Sequence, residues 1–333
     1  MAVLRQARKW LTGRVDDLAV SCAPWLSARS LDRVGPLIAW CGPRLPVLGR
    51  LAAQNMSSAG LYSPQIHRDY FANVGAHLAG ALQALRCAGR SQQGPQSDLK
   101  NLAENCIQLD DSVQALAEAA GRGRGAILVG PHISNYLLNL TRLNQAVPLT
   151  IYLRHSKDSS RQQAKQRWYR ASGVSWISEP AGQNGPLGRL GQMSAVLRAG
   201  RVLFITPDLA KKRGEGVAVR LLGREVYLPA GAAALAARTG APLFALHARK
   251  EHRVQKLFVR GPFNLDSSLL RSRDPSQAGR RTPALIAAGM QWFADEFERF
   301  LREQPALWYL WADKRWTRVF RGDPRYVGPG ASL

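Results

Sequence analysis

Along 64–87 (PQIHRDYFANVGAHLAGALQALRC) the positions Phe71, Val74, His77/Leu78, Leu82 and Leu85 recur at spacings of three and four. That period lines them up on one side of a helix, so the stretch is predicted helical with one buried face. The chain reads as helical from its start to about residue 90, and a polar Gly/Ser/Gln segment (GRSQQGPQSD, 89–98) closes the region. From about 122 the pattern changes. Ala126-Ile127-Leu128-Val129-Gly130 is an apolar run of strand length, and Pro131-His132 leads into a helix with Ser134 placed as its N-cap. Further strands are predicted at 148–153 (PLTIYL), 174–177 (VSWI), 201–207 (RVLFITP) and 241–249 (APLFALHAR), and 254–263 (VQKLFVRGPF) adds an edge strand. Between them lie a polar helix through Arg170, a helix at about 187–198 closed by Gly200, and a small-residue helix at 230–239 stopped by Gly240. A last amphipathic helix, about 283–303, carries Ile286, Met290, Phe293, Phe297 and Phe300/Leu301 on one stripe.

Strands alternating with helices imply βαβ units, hence an α/β fold with a mostly parallel central sheet flanked by helices. The organisation expected is a helical N-terminal region, 1–98, and an α/β domain, 99–333, forming one compact unit.

Composition narrows the partners. Lys plus Arg number 46 against 23 Asp plus Glu, a net charge of +23. So basic a surface attracts nucleic acid, anionic lipid headgroups or an acidic carrier protein. The basic residues are dispersed, and no nucleic-acid-binding signature accompanies them, so nucleic acid is not an expected partner. The four cysteines (Cys22, Cys41, Cys87, Cys106) are widely spaced. They offer neither a zinc site nor a disulfide framework, which fits a reducing compartment. No metal or redox cofactor is expected. The N-terminus lacks the apolar core and cleavage site of a signal peptide. The nearest approach to a membrane span, 34–49 (VGPLIAWCGPRLPVLG), is cut by Arg44 and three prolines and is too short to cross a bilayer. Trp10, Trp25 and Trp40 sit among Arg and Lys here. Two readings stand: an element lying on a membrane surface, or ordinary packing helices with exposed arginines.

The sharpest local feature is GPHISNYLLNL (130–140). His132 follows a buried strand at the mouth of a helix, where α/β sheets place ligands. Its imidazole can accept a proton from an incoming hydroxyl near neutral pH; capping a helix or satisfying a carbonyl is the plainer alternative. The other histidines (His67, His77, His155, His247, His252) show no ligand spacing and read as structural. GRGRG (121–125) precedes its strand, the wrong order for a phosphate cradle, and no GxSxG, P-loop or HExxH occurs.

GPHISNYLLNL resembles the HFGNWE-type block of the late lipid A acyltransferases (the LpxL/LpxM group of the lysophospholipid acyltransferase superfamily), a variant of the superfamily's H-x4-[DE] motif. Four other blocks are similar in the same order. They are AAQNMSSAG with SPQIHRDYFANVGAHLAGAL within 52–82, TIYLRHSKD (150–158), the segment 204–246 beginning FITPDLAKKRGEG, and PALWYLWADKRWTR (305–318). The resemblance spans about 50 to 318. It implies the superfamily's fold and a direct acyl transfer from acyl-ACP or acyl-CoA to a hydroxyl or amine of a lipid-like acceptor. In that transfer His132 is the base, and the oxyanion meets donors at the strand ends and helix N-terminus. By the same correspondence Asn135 matches the asparagine of the HFGNWE block, Arg154 the strand-end arginine, and Asp208 the aspartate of a "DQ" pair. The planar fork of Arg154 suits a phosphate or carboxylate of donor or acceptor, and a solvated surface arginine is the plainer reading. Lys211, Lys212 and Arg213 either grip phosphates of a carrier arm or form a solvated loop. The implied location is the cytoplasmic face of the inner membrane, peripheral or interfacially anchored to an anionic lipid surface.

The chain departs from the motif at its acid: the fifth residue after His132 is Leu137. Loss of the equivalent support in a serine-protease triad costs about 10⁴ in rate. Three readings follow. A carboxylate from elsewhere replaces it, with Asp208 the candidate; the enzyme works without one on an activated thioester; or catalysis is lost and the protein only binds lipid or acyl carrier.

Overall fold

The computed structural model describes residues 25–90, 95–153, 172–178, 186–252, 254–265 and 275–329, with scattered positions between 162 and 170. The polar helix expected through Arg170 falls largely outside the described residues, as does the first part of the helical N-terminus with Trp10.

The described N-terminal region is helical, as α1 (Ala28–Asp32), α2 (Val34–Cys41), α3 (Leu48–Ser58) and α4 (Pro64–Arg90). The α/β part follows as α5 (Pro95–Cys106), β1 (Ile107–Leu109), α6 (Ser112–Gly121), β2 (Ala126–Val129), α7 (Tyr136–Ala146), β3 (Leu149–Leu153), β4 (Ser175–Ser178), α8 (Pro186–Arg198) and β5 (Val202–Ile205). It continues with β6 (Val217–Leu221), β7 (Arg224–Leu228), α9 (Gly231–Thr239), β8 (Leu243–Glu251), β9 (Val254–Phe263), α10 (Pro275–Glu303) and α11 (Lys314–Phe320).

Among the described residues seven strands form one sheet in the order β1-β9-β8-β2-β5-β3-β4. All neighbours are parallel except β8 and β9. The centre is fully covered, and so β2 (AILV) is buried at every position, as a strand flanked by helices on both faces must be. The small residues of α9 (Ala232, Ala233, Ala236, Ala237) are buried and let that helix lie close. Because β5 returns beside β2 and β8 joins on its other side, the carboxyl ends of β2 and β5 are adjacent. Their following loops, with His132 and Asp208, are thereby brought together.

Two strand features differ from the sequence reading. The strand at 254–263 is not at the edge: β1, three residues long and too short to show a period, pairs outside it. The structure also contains a β6–β7 hairpin, which the sequence pattern does not predict. Its two-residue turn places Leu222 (φ 52°) and Gly223 (φ 73°) both at positive φ, a geometry normally announced by Asn-Gly or Asp-Gly. Leucine in the first position hides it.

The N-terminal helices are tied to the chain's far end. Asn55 Nδ2 donates to the Trp311 carbonyl (2.6 Å) and Thr317 Oγ1 (3.0 Å). The Tyr70 hydroxyl donates to the Tyr309 carbonyl, and Asn73 Nδ2 to that of Ala306. Helices α2 and α4 cross at Gly35 and Gly75, where a Cβ on Gly75 would strike the Gly35 carbonyl. Gly75→Ala is therefore expected to lower stability by about 1–3 kcal/mol through forced separation of the helices. Gly121→Ala, whose methyl meets open space, should leave the denaturation midpoint nearly unchanged, and the pair can be compared by urea titration.

Candidate active site

The His132 loop is shaped by its neighbours. At Gly130 a Cβ would lie 3.0 Å from that of Leu246 and 3.3 Å from the Phe204 ring, so glycine lets the strand end pass. The loop then zips onto the C-terminal segment: Tyr309 N–H donates to the His132 carbonyl (2.9 Å) and Ser134 N–H to that of Leu307 (2.9 Å). The expected N-cap, Ser134, is displaced by this pairing. Its hydroxyl donates to the Leu307 carbonyl (3.1 Å), and the cap falls to Asn135, in the left-handed region at φ 61° with no side-chain cap bond. Asparagine tolerates that conformation better than most residues. The helix finds its cap at a distance: Tyr136 N–H donates to Nδ1 of His77 on α4 (3.3 Å).

His132 Nδ1–H donates to Oδ1 of Asp208 at 2.6 Å. The carboxylate only accepts, so in the neutral ring the proton sits on Nδ1 and Nε2 keeps its lone pair. Oδ2 of the same carboxylate accepts the His132 backbone N–H (2.7 Å) and Trp308 Nε1–H (2.9 Å), and Trp316 Nε1–H holds the Asp208 carbonyl (2.8 Å). Asp208 is wholly buried. Burial alone would hold the His132 imidazole below its ordinary pKa. The charge and hydrogen bond of Asp208 outweigh burial, and His132 lies above it.

His132 opens on a cavity of about 730 Å³. Its walls are mainly apolar or aromatic, with Leu137, Leu153, Met193, Tyr136, Tyr169 and Tyr309 among them, and Lys211 and Arg315 contribute the basic groups. The Tyr136 ring stacks near His132 with centroids 6.1 Å apart. Burial pushes its phenol well above the usual range, and its hydroxyl bonds to that of Tyr169. Arg315 is braced by Asp313 through two contacts of 3.1 Å. His77 completes one wall. Burial, then the proximity of His132, depress its pKa to about 4.

Of the residues singled out from sequence, the structure brings His132 and Lys211 to the cavity wall and Asp208, fully buried, against the His132 ring. Asn135 shapes the turn and is not on the wall. Lys212 is exposed, 3.8 Å from Glu215, and Arg213 is exposed with its backbone N–H on Arg325. Arg154 lies outside the described residues. Leu137, at the motif-acid position, is a buried part of the cavity wall. Sequence reasoning missed His77, Trp308, Trp316 and Arg315. His77 falls within the apolar stripe of 64–87, and the two tryptophans within the 305–318 block, with no local signal that singles them out. Their donors become meaningful only once Asp208 is seen between them.

A histidine–aspartate pair at the carboxyl ends of central parallel strands, with the histidine facing a mainly apolar cavity, is an arrangement capable of general-base chemistry on a substrate with a greasy portion. The chain matches the bacterial lipid A biosynthesis acyltransferase model over residues 65–318, and it belongs to that family. The match runs from α4 to α11 and contains both members of the pair. No curated protein matches the chain.

The His132 titration can be followed by NMR. Its pKa should lie above 6.5 in the native protein and fall below 6.5 in Asp208→Asn, where burial acts without the compensating charge. Trp308→Phe, which removes one donor from a buried carboxylate, should cost about 1.5–3 kcal/mol of stability, read by thermal or urea unfolding.

Proposed function

We propose that the protein transfers a fatty acyl group from a thioester, acyl-ACP or acyl-CoA, to a hydroxyl or amine of a lipid-like acceptor. Lipid A-like glycolipids or a diverged relative form the acceptor class. The observation that carries this reading is the 2.6 Å bond between His132 Nδ1 and Asp208, which supplies the carboxylate that Leu137 does not. In this reading Nε2 removes the acceptor proton as the nucleophile attacks the thioester carbonyl carbon. Asp208 fixes the tautomer and stabilises the imidazolium. Lys211 and Arg315, both on the cavity wall, suit the anionic groups of donor or acceptor. Within the family, kinship with the LpxL/LpxM group is supported by the similar blocks at 52–82, 130–140, 150–158, 204–246 and 305–318.

A location at the membrane surface is part of the same proposal. No helix among the described residues is long and apolar enough to cross a membrane. However, Trp25, Leu37, Trp40, Val47 and Leu48 are all exposed, Trp25 by 86%, amid the exposed Arg29, Arg33, Arg44 and Arg50. Arg44 lies over the Trp40 ring at 5.1 Å. Wet apolar side chains interleaved with cations suit the headgroup layer of an anionic bilayer.

The test is transfer of radiolabelled acyl groups from acyl-ACP and acyl-CoA to a panel of hydroxyl- and amine-bearing lipids. Wild type should turn over, and His132→Ala should lose 10²- to 10⁴-fold, about the worth of a general base. The wild-type rate should rise with pH as His132 loses its proton, through a value above 6.5, because only the neutral imidazole accepts. Absence of transfer with every donor and acceptor would instead favour a family member that binds lipid or carrier without catalysis. In co-sedimentation with anionic vesicles, Trp25→Ala/Trp40→Ala should lose most of its bound fraction; retention equal to wild type would sink the surface assignment.

A further inference from the structure

The transfer step needs a second kind of group besides a base. As the acceptor oxygen or nitrogen bonds to the thioester carbon, the carbonyl π pair moves onto oxygen, and that oxyanion must be met by donors already in place. Three of the amides around His132 are committed elsewhere. His132 N–H goes to Asp208, Ser134 N–H to Leu307, and Tyr136 N–H, at the helix N-terminus, to His77. The expectation that the amide at the helix start serves the oxyanion is not met by Tyr136.

What that amide does is fix a proton. Because Tyr136 N–H donates to Nδ1 of His77, Nδ1 must carry a lone pair, and a neutral imidazole then bears its hydrogen on Nε2. The ring is part of the cavity wall that also holds His132 and packs against Tyr309 with centroids 4.6 Å apart. We infer that His77 is a catalytic residue of this chain, its Nε2–H donating to the thioester carbonyl oxygen as that oxygen becomes an oxyanion. The inference rests on the acyl-transfer reading.

The two imidazoles divide the work. The acceptor proton passes to His132 Nε2, the new acyl bond forms, the oxyanion collapses, the C–S bond breaks, and the departing thiolate takes the proton back from His132. His77 moves no proton. A neutral imidazole is the right donor for this, since an imidazolium at the same place would oppose protonation of His132. The environment keeps His77 neutral: burial, the second imidazole nearby and the positive end of α7 all act against its protonation.

The test compares His77→Phe, which keeps a ring but has no N–H, with His77→Gln, which keeps a donor. His77→Phe should lower kcat by 10²- to 10³-fold, the usual effect of deleting one oxyanion donor, with KM changed less than about threefold. His77→Gln should recover at least tenfold of that loss. In the wild type, ¹⁵N NMR should show His77 as the Nε2–H tautomer down to about pH 5. Binding of a long-chain alkyl trifluoromethyl ketone, whose adduct carries a tetrahedral oxyanion, should weaken at least tenfold in His77→Phe. A His77→Phe enzyme with wild-type kcat overturns the role while leaving His132 chemistry standing, and so does a His77 that titrates near 6.5. If wild type gives no turnover, the acyl-transfer reading fails first and takes this role with it, whereas His132→Ala inactivity beside an unaffected His77→Phe isolates the failure to His77.

Discussion

A carboxylate sealed from solvent is costly unless donors surround it, and the Asp208 carboxylate is surrounded from three directions. Oδ1 takes the His132 ring, while Oδ2 takes the His132 amide and the Trp308 indole. These donors come from the loop after β2 and from the C-terminal block, whereas Asp208 itself follows β5. The anion therefore makes sense only when the central strands are paired and the 305–318 segment has docked. In turn that segment is pinned by Asn55, Tyr70 and Asn73 from the N-terminal helices. One buried charge thus links the start, middle and end of the chain to the orientation of one imidazole.

In the proposed transfer reaction, the position of that charge would let the chain dispense with an acid at 137. What the imidazole requires is an anionic acceptor at Nδ1; the element that provides it is immaterial to the chemistry. With Asp208 reaching in from the neighbouring strand, position 137 is free to be apolar, and Leu137 becomes cavity wall.

The site holds two histidines driven in opposite directions by their surroundings. His132 is raised by its aspartate against the pull of burial; His77 has no carboxylate and is lowered. Groups whose pKa values are pushed apart within one cavity are suited to different parts of a reaction. This supports a base and a neutral donor acting on the same carbonyl.

The sequence by itself determined the α/β alternation, the helical start, the stops at Gly200 and Gly240, and His132 at a strand end, because these depend on local period and on backbone preferences of single residues. It also reached Asp208, through the similarity of the 204–246 block. Tertiary structure alone decided that β5 lies against β2, that β1 takes the sheet edge, that Ser134 surrenders the cap to a distant imidazole, and that His77 and two indoles enter the site. Those outcomes turn on hydrogen bonds between residues such as 77 and 136, or 208 and 308. A donor and acceptor so far apart in the chain leave no periodic trace, since their meeting is set by how the strands and helices pack.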